Sequence, residues 1–350
     1  MKIILTLSKN KLAETALPLG TGWLLGECME YHGKQQLWIE KKTEVLKVLR
    51  AQAIIQSVES SNRIEGVTVD ADRLRPLALQ KAKPRDRSEE ELAGYTKALD
   101  WIYSRKSRVR VAPITVLKLH SMAQGGFSGD AGIWKSKDNE IIEILDNGER
   151  KIRFVPTSAT QTPQYVEALC RRYDELRMEG SVPLLLLIAT FVFDLLSIHP
   201  FRDGNGRVSR LMTALLLESE GYLVPRFVSL ERIIEENKRE YYHVLQQCSE
   251  GWSEGTNNII PWWNFFLSTL RSAYKEFETQ VETSRGRRPK HEIVEQAILG
   301  QFEEFTLAQI QSQLPFVSSQ LIKKTLAKLK AERKVSLTGR GRSARWSVET

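Results

Sequence analysis

Residues 199–210 read His-Pro-Phe-Arg-Asp-Gly-Asn-Gly-Arg-Val-Ser-Arg, which brings a base, a carboxylate, a glycine-flanked asparagine and two guanidiniums into one turn and the start of a helix. Such an inventory suits the handling of phosphate. His199 follows a long apolar run and precedes Pro200, which keeps the residue before it from continuing as helix, so the imidazole is expected at a helix end and at a rim. Gly204, Asn205 and Gly206 can expose successive backbone N–H groups, and the helix opening near Arg207 turns its positive N-terminus toward the same spot. A polyphosphate is expected there. Arg207 and Arg210 are three apart and share one helical face, with Val208, Leu211, Met212 and Leu215 anchoring the other, so both guanidiniums are expected to point at the anion. An imidazole near neutrality suits proton removal, a carboxylate suits a hard cation, and forked guanidiniums suit phosphate oxygens. Taken singly, Asp-Gly and Asn-Gly are ordinary turn pairs and spaced arginines an ordinary solvated face. Their contiguity favours a site. His199 and Asp203 as a direct metal pair would lack a third ligand.

The string resembles the signature of the Fic family, HPFx(D/E)GNGRxxR, and matches it at every fixed position. The resemblance implies transfer of AMP from ATP to a Tyr, Thr or Ser hydroxyl of a target protein, with Mg2+. It makes His199 the general base and Asp203 the magnesium ligand. Asn205 with the amides of Gly204 and Gly206 would hold the α- and β-phosphates, Arg207 would support the β-phosphate, and Arg210 would grip the γ-phosphate. The same residues could run the reverse hydrolysis. The signature reads phosphates better than bases, so the donor nucleotide stays open.

A second segment, Ser61-Asn62-Arg63-Ile64-Glu65-Gly66, resembles the (S/T)xxxE(G/N) inhibitory element of autoregulated Fic proteins. By that resemblance Glu65 pairs with Arg210 and keeps the γ-phosphate out, a competition of carboxylate and phosphate for one guanidinium. On residue types alone, Ser61, Glu65 and Gly66 read equally as helix caps. Between residues 120 and 156, turn formers (Gly125, Gly126, Gly129, Gly132 and Asp146-Asn147-Gly148) flank short apolar stretches at Ile133-Trp134 and residues 141–145, which reads as a β-hairpin. Gly132-Ile133-Trp134-Lys135 is similar to the start of the Fic flap that docks a target by strand pairing. Downstream, the family places a tyrosine against adenine, and Tyr242 is the candidate, its neighbour Tyr241 pointing about 100° away into the core.

Helical patterns dominate residues 37–280. Val48, Ala51, Ile55 and Val58 recur at helical spacing on a helix that runs into the inhibitory element. The stretch 184–198, interrupted by Thr190, Asp194 and Ser197, reads as a buried core helix. Trp262, Trp263, Phe265 and Phe266 read as the packed last helix of the core. The 350 residues, 41% hydrophobic and 27% charged, suffice for two or three soluble domains. The expected division is an N-terminal helical region 1–90 bounded by the charged stretch 81–91, a Fic core 91–282, and a domain 283–350. Cys28, Cys170 and Cys248 are odd in number and widely spaced, which suggests reduced thiols and a cytoplasmic setting. The first nine residues are too briefly apolar for a signal peptide, and no apolar run is long enough for a membrane span.

The tail differs in kind. Residues 283–289 form a basic linker, and residues 285–350 carry 13 Lys/Arg against 6 Glu. Helices at 291–302, after Thr306 and at 318–334, then strands at 335–338 and 344–348, resemble a winged helix-turn-helix. The third helix with Lys323, Lys324, Lys328 and Lys330 would be the recognition helix, and Arg340 and Arg342 the wing, suiting DNA backbone. The expected fold class is thus mainly α: a Fic-type core with a small hairpin flap, plus a winged helix. Two functions stand, an autoinhibited adenylyltransferase and a DNA-binding transcriptional regulator whose core senses a ligand. Assembly with further copies of the chain stays open.

Overall fold

The computed structural model describes residues 3–40, 43–104, 109–125, 129–144, 150–283, 290–299, 301, 304–314, 317–339 and 344–349. The turn expected at 146–148, Gly126, most of the 283–289 linker and the wing residues Arg340 and Arg342 lie outside the described residues. The chain is mainly helical and divides into two compact units, Met1–Phe277 and Glu278–Thr350.

In the first unit, α1 (Lys9–Glu14), α2 (Leu19–Ile39), α3 (Thr43–Ile64) and α4 (Ala71–Ala78) precede α5 (Arg87–Tyr103) and α6 (Pro113–Gln124). A hairpin of β1 (Ile141–Ile144) and β2 (Arg150–Phe154) follows, then α7 (Thr162–Glu179), α8 (Leu184–Ile198), α9 (Asn205–Ser219), α10 (Leu230–Glu236), α11 (Lys238–Ser249) and α12 (Ile260–Thr283). Residue 90 does not separate compact units, because α3 packs on α5, α9 and α10. The charged stretch 81–91 is a short connection whose second half already belongs to α5, capped where the Asp86 side chain accepts the Glu89 amide.

Helix α8 is the axis of this unit. Every side chain from Leu185 to Leu195 is buried, between α7 and α9. Its polar residues are all satisfied: Thr190 and Ser197 donate to the carbonyls four residues back, at 2.7 and 3.0 Å. Asp194 is fully buried and accepts from the amides of Thr6 (3.1 Å) and Leu7 (2.7 Å) and from Trp252 Nε1 (2.8 Å). The N-terminal segment is thereby tied across the core. Trp262 and Trp263 of α12 dock on the same helix, donating to Ala189 O at 2.7 Å and Thr190 Oγ1 at 2.9 Å.

The hairpin is antiparallel with a bulge between Ile141 and Ile142, and the partner of the 141–144 strand is Arg150–Phe154. Ile133-Trp134 is not a strand. Trp134 instead stacks on Phe201 of the signature loop, with ring centroids 5.1 Å apart, so packing against an aromatic takes precedence over ladder formation.

In the second unit, α13 (Lys290–Leu299), α14 (Leu307–Gln313) and α15 (Ser319–Ala331) surround Val294, Ile298, Ile310, Ile322, Leu326 and Leu329. Strands β3 (Val335–Thr338) and β4 (Arg345–Val348) pair antiparallel, and Phe305 bridges to Trp346 beside them. Thr306 and Gln309 form a reciprocal capping box at α14, and the Ser318 hydroxyl caps α15.

Replacing Asp194 by Ala orphans three buried donors at once, and urea unfolding is expected to show a loss of about 3 kcal/mol or more. A loss under about 1 kcal/mol would mean that Asp194 does not hold the N-terminal segment.

Candidate active site

The site forms where α8 ends and α9 begins. Pro200 stops α8, and His199 takes the left-handed C-cap conformation (φ 51°, ψ 62°) with its amide still donating to Leu195 O. The His199 ring is half-buried, and its Nδ1 lies 3.3 Å from Leu196 O. That carbonyl can only accept, so the proton sits on Nδ1 and Nε2 carries a free lone pair. Burial lowers the imidazole to about 4, with the nearby Lys135 charge adding to the effect against the Leu196 carbonyl, Glu65 and Asp203. His199 is therefore a neutral base across the physiological range.

Two devices hold the 199–205 loop. Asn205 closes it from within: its Oδ1 accepts the Phe201 amide at 2.9 Å and its Nδ2 donates to Phe201 O at 2.8 Å. Its side chain thereby fixes the turn. From outside, His120 Nδ1 accepts the Gly132 amide at 2.9 Å, so its Nε2 carries the proton and donates to Asp203 O at 3.1 Å. Its ring stacks on Phe201 at 3.7 Å, and burial lowers it to about 4. The buried Lys135 donates its amide to Pro200 O (2.9 Å) and its Nζ to Asn139 Oδ1 (2.7 Å) and Ile198 O (3.3 Å), burial bringing the ammonium down to about 8.

Gly204, in the left-handed region at φ 77°, starts α9, and no side chain caps the helix. The first amides of α9 are thus available to an anion. Asp203 stands at this mouth with its side chain about half exposed (52%), taking the Gly204 amide at 2.7 Å and Arg87 Nη2 at 3.0 Å.

The two signature arginines part company. Arg207 is 1% exposed and turns toward α5 and α6, donating to Glu91 Oε2 at 2.8 Å and Gln124 Oε1 at 3.2 Å. Glu91 also receives Arg87 Nε at 2.7 Å, so the shared helical face ends in a buried ion pair behind the loop. The pair with Glu91 does not use up Arg207: its Nη2 also lies 4.0 Å from Asp203 Oδ2 at the mouth, and its Nε has no hydrogen-bond partner among the described residues. Arg210 turns toward α3. Its Nε donates to Ser61 Oγ (2.9 Å), and its Nη2 donates to Ser61 O (3.0 Å) and Glu65 Oε1 (2.8 Å). Its Nη1 is buried beside Gly206, with no hydrogen-bond partner among the described residues.

Glu65 follows the last turn of α3 directly, and Gly66 at φ 80° closes that turn. A Cβ on Gly206 would collide with Glu65 Oε1 and lie 3.1 Å from Arg210 Nη1, so the absence of a side chain there is what lets the carboxylate approach α9. Glu65, His199, Gly206, Phe154 and Tyr242 line one cleft under the hairpin. The Tyr242 ring carries Arg153 at 5.7 Å and Lys238 at 5.9 Å over its face, and its hydroxyl donates to Ile64 O at 3.4 Å.

Of the residues expected at the site, Glu65, His199, Gly206 and Tyr242 line this cleft, Ser61 and Arg210 meet Glu65 beside it, Asp203, Gly204 and Asn205 form the loop at the α9 start, Gly66 closes the turn after α3, and Arg207 faces Glu91 and Gln124. Sequence reasoning missed Glu91, Gln124, His120 and Arg87, which reach the loop from helices remote in sequence. Lys135 alone had a signal, as the end of the Gly-Ile-Trp-Lys string.

Residues 111–217 match the model of the Fic/DOC family. Curated relatives described as protein adenylyltransferase Fic from Drosophila willistoni and Drosophila persimilis are each 26% identical over 225 residues, which cover 61% of this chain and 40% of theirs. The chain thus spans about two fifths of the length of these relatives. Among solved structures, a Fic family protein from Desulfovibrio desulfuricans superposes with a TM-score of 0.62 at 19% identity, over 96% of this chain and 97% of its own. Fic-1 from C. elegans superposes with a TM-score of 0.57 at 18% identity, over 76% of this chain and 75% of its own. These two likenesses are of fold.

Because the folded-state values of His199 and His120 lie below the ordinary 6.5, the stability linked to them is present above pH 6.5 and is lost as pH falls through about 4. Histidine NMR is expected to give midpoints near 4 for both rings. A His199 midpoint near 6.5 would overturn its burial as the controlling effect.

Proposed function

With residues 111–217 a Fic domain, we propose that this protein transfers AMP from ATP to a Ser, Thr or Tyr hydroxyl of a target protein and that Glu65 inhibits the transfer. The observation that carries the proposal is the state of Arg210: a buried guanidinium with one edge on Glu65 and a second nitrogen, Nη1, without a partner beside the α9 N-terminus. Such a group is built to take an anion, and a carboxylate now holds the place.

The chemistry follows from the geometry. His199 Nε2 removes the proton of the target hydroxyl as its oxygen attacks the α-phosphorus. The bond from that phosphorus to the bridging oxygen breaks, and pyrophosphate leaves. The amides at the start of α9 bind the phosphates, Asn205 keeps them in place by clamping Phe201, and Arg210 takes the γ-phosphate once Glu65 withdraws. Arg207 supports the loop from behind through Glu91. Asp203 offers one half-exposed carboxylate at the mouth, which fits magnesium arriving with ATP, since that ion commonly takes one or two carboxylates and fills its shell with phosphate oxygens and water. When bound, the ion supplies charge neutralisation at the phosphates. Tyr242, on the wall of the cleft, is the proposed platform for the base, and the open outer edges of β1 and β2 are the proposed rail for the target peptide.

A second reading concerns residues 278–350. Three helices and a hairpin are the frame of a winged helix, and on α15 the exposed Lys323, Lys324 and Lys330 have no carboxylate partner among the described residues. Lys328 differs from the expectation, because Glu295 at 3.1 Å and Glu332 at 3.6 Å neutralise it. The proposed DNA-facing set is therefore Lys323, Lys324 and Lys330.

Incubation with radiolabelled ATP, magnesium and a lysate tests the first proposal. Glu65→Gly is expected to raise labelling about ten-fold or more by freeing Arg210, and His199→Ala on that background to lower it about 100-fold or more. Equal labelling in all three proteins would overturn the assignment. For the second reading, a gel shift is expected with the full chain and lost on Lys323→Glu with Lys324→Glu. A shift that survives deletion of residues 285–350 would overturn it.

A further inference from the structure

The carboxylate at the mouth of the site stands between two cations of the protein's own. Asp203 Oδ2 lies 3.0 Å from Arg87 Nη2 and 4.0 Å from Arg207 Nη2, and Asp203 Oδ1 takes the Gly204 amide at 2.7 Å. Both guanidiniums are joined to one further carboxylate: Glu91 accepts Arg87 Nε on Oε1 at 2.7 Å and Arg207 Nη1 on Oε2 at 2.8 Å. Two arginines and two carboxylates thus close a ring in which the charges balance.

The two arginines differ in freedom. Arg207 is buried and also reaches Gln124 Oε1 at 3.2 Å and Ala123 O at 3.4 Å, so it belongs to the core. Arg87 is 58% exposed on its side chain and opens α5, where the positive end of the helix dipole gives a cation no help. Its Nε holds to the buried Glu91, while its Nη2 reaches across to the loop and meets Asp203, which is also about half exposed. Exposed pairs of this kind are weak and exchange easily. Nη2 can let go of Asp203 without disturbing either contact at Glu91, so the exchange leaves no buried charge alone. A guanidinium on Oδ2 and a metal ion on Oδ2 are alternatives, because each neutralises the same charge and two cations at one carboxylate oxygen repel each other.

We propose that Arg87 is the resident counter-ion of Asp203 and that it yields the carboxylate to the magnesium that arrives with the nucleotide. While it holds Asp203, the phosphates do not meet a bare negative charge at the mouth. It also raises the magnesium level at which Asp203 becomes occupied, since one cation has to leave before the other is held. This inference rests on the nucleotide reading and deepens it by assigning a residue outside the signature to control of the metal ligand.

The test is a pair of affinities. The full chain with Glu65→Gly admits ATP, and calorimetry measures its binding once with excess magnesium and once with EDTA in place of the metal. Adding Arg87→Gln removes the counter-ion and leaves Glu91 paired with Arg207. It is expected to tighten ATP about three-fold or more with magnesium, where the competing cation is gone, and to weaken it about three-fold or more in EDTA, where a bare Asp203 faces the phosphates. A loosened α5 would weaken ATP in both conditions, so opposite signs separate the counter-ion role from a structural one. Arg87→Lys serves if Arg87→Gln does not fold: a single ammonium cannot fork between Glu91 and Asp203, and the same two signs are expected at about two-fold each. A shift of one sign in both conditions, or no shift in one of them, would overturn the counter-ion role while leaving the nucleotide reading intact. Failure of Glu65→Gly alone to bind ATP with magnesium would overturn the nucleotide reading and this inference with it.

Discussion

One guanidinium, that of Arg210, sets the terms for the whole first unit. It is 4% exposed on its side chain, yet it must stay charged, so every element near it is arranged to supply oxygen atoms. The end of α3 supplies Ser61 and Glu65, and α9 carries the arginine itself. The apolar core made by α8 and its neighbours then fixes where α9 begins. The result is a buried cation gripped by one serine and one carboxylate from the same stretch of chain.

The other signature arginine shows how the same chemistry serves another end. Arg207 lies three residues before Arg210 but finds Glu91, and the Arg207–Glu91–Arg87–Asp203 chain links the core to the mouth of the site. Buried pairs of this kind contribute little net stability against apolar alternatives, but removing one member leaves an uncompensated charge. The pair therefore specifies where the 199–205 loop sits more than how stable the unit is. His120, Asn205 and Lys135 act toward the same end with neutral hydrogen bonds and a half-suppressed ammonium.

How much of this could be read from the chain alone depended on whether a feature was local. The signature loop, the Glu65 element, the core character of 184–198 and the order of elements after residue 290 are all carried by contiguous residues, and they were legible. Helix α2 was not, since Gly20, Gly22, Gly26 and Gly33 lower its intrinsic propensity and it forms by burying Cys28, Gln35 and Trp38. The strand partner of residues 141–144 was not either, because a hydrophobic pair such as Ile133-Trp134 fits a strand and an aromatic stack equally well until Phe201 is in place. Arg207 carries a related lesson: helical spacing gives the direction of Cβ, but only the fold shows that its guanidinium meets Glu91 and Gln124. Glu91 gave no signal, as a single polar residue in an amphipathic helix looks solvent-facing until the tertiary fold buries it.

Glu65 sits at the tip of a helix of 22 residues. At about 1.5 Å per residue, α3 is a rod of roughly 33 Å, and pivoting it by about 5° about its distant end carries the tip some ~3 Å sideways. That travel equals the length of the hydrogen bond it must break. Ser61, one turn earlier on the same rod, would travel with Glu65 and leave Arg210, so the carboxylate parts from the guanidinium with Ser61 in place only by turning about its own side-chain torsions.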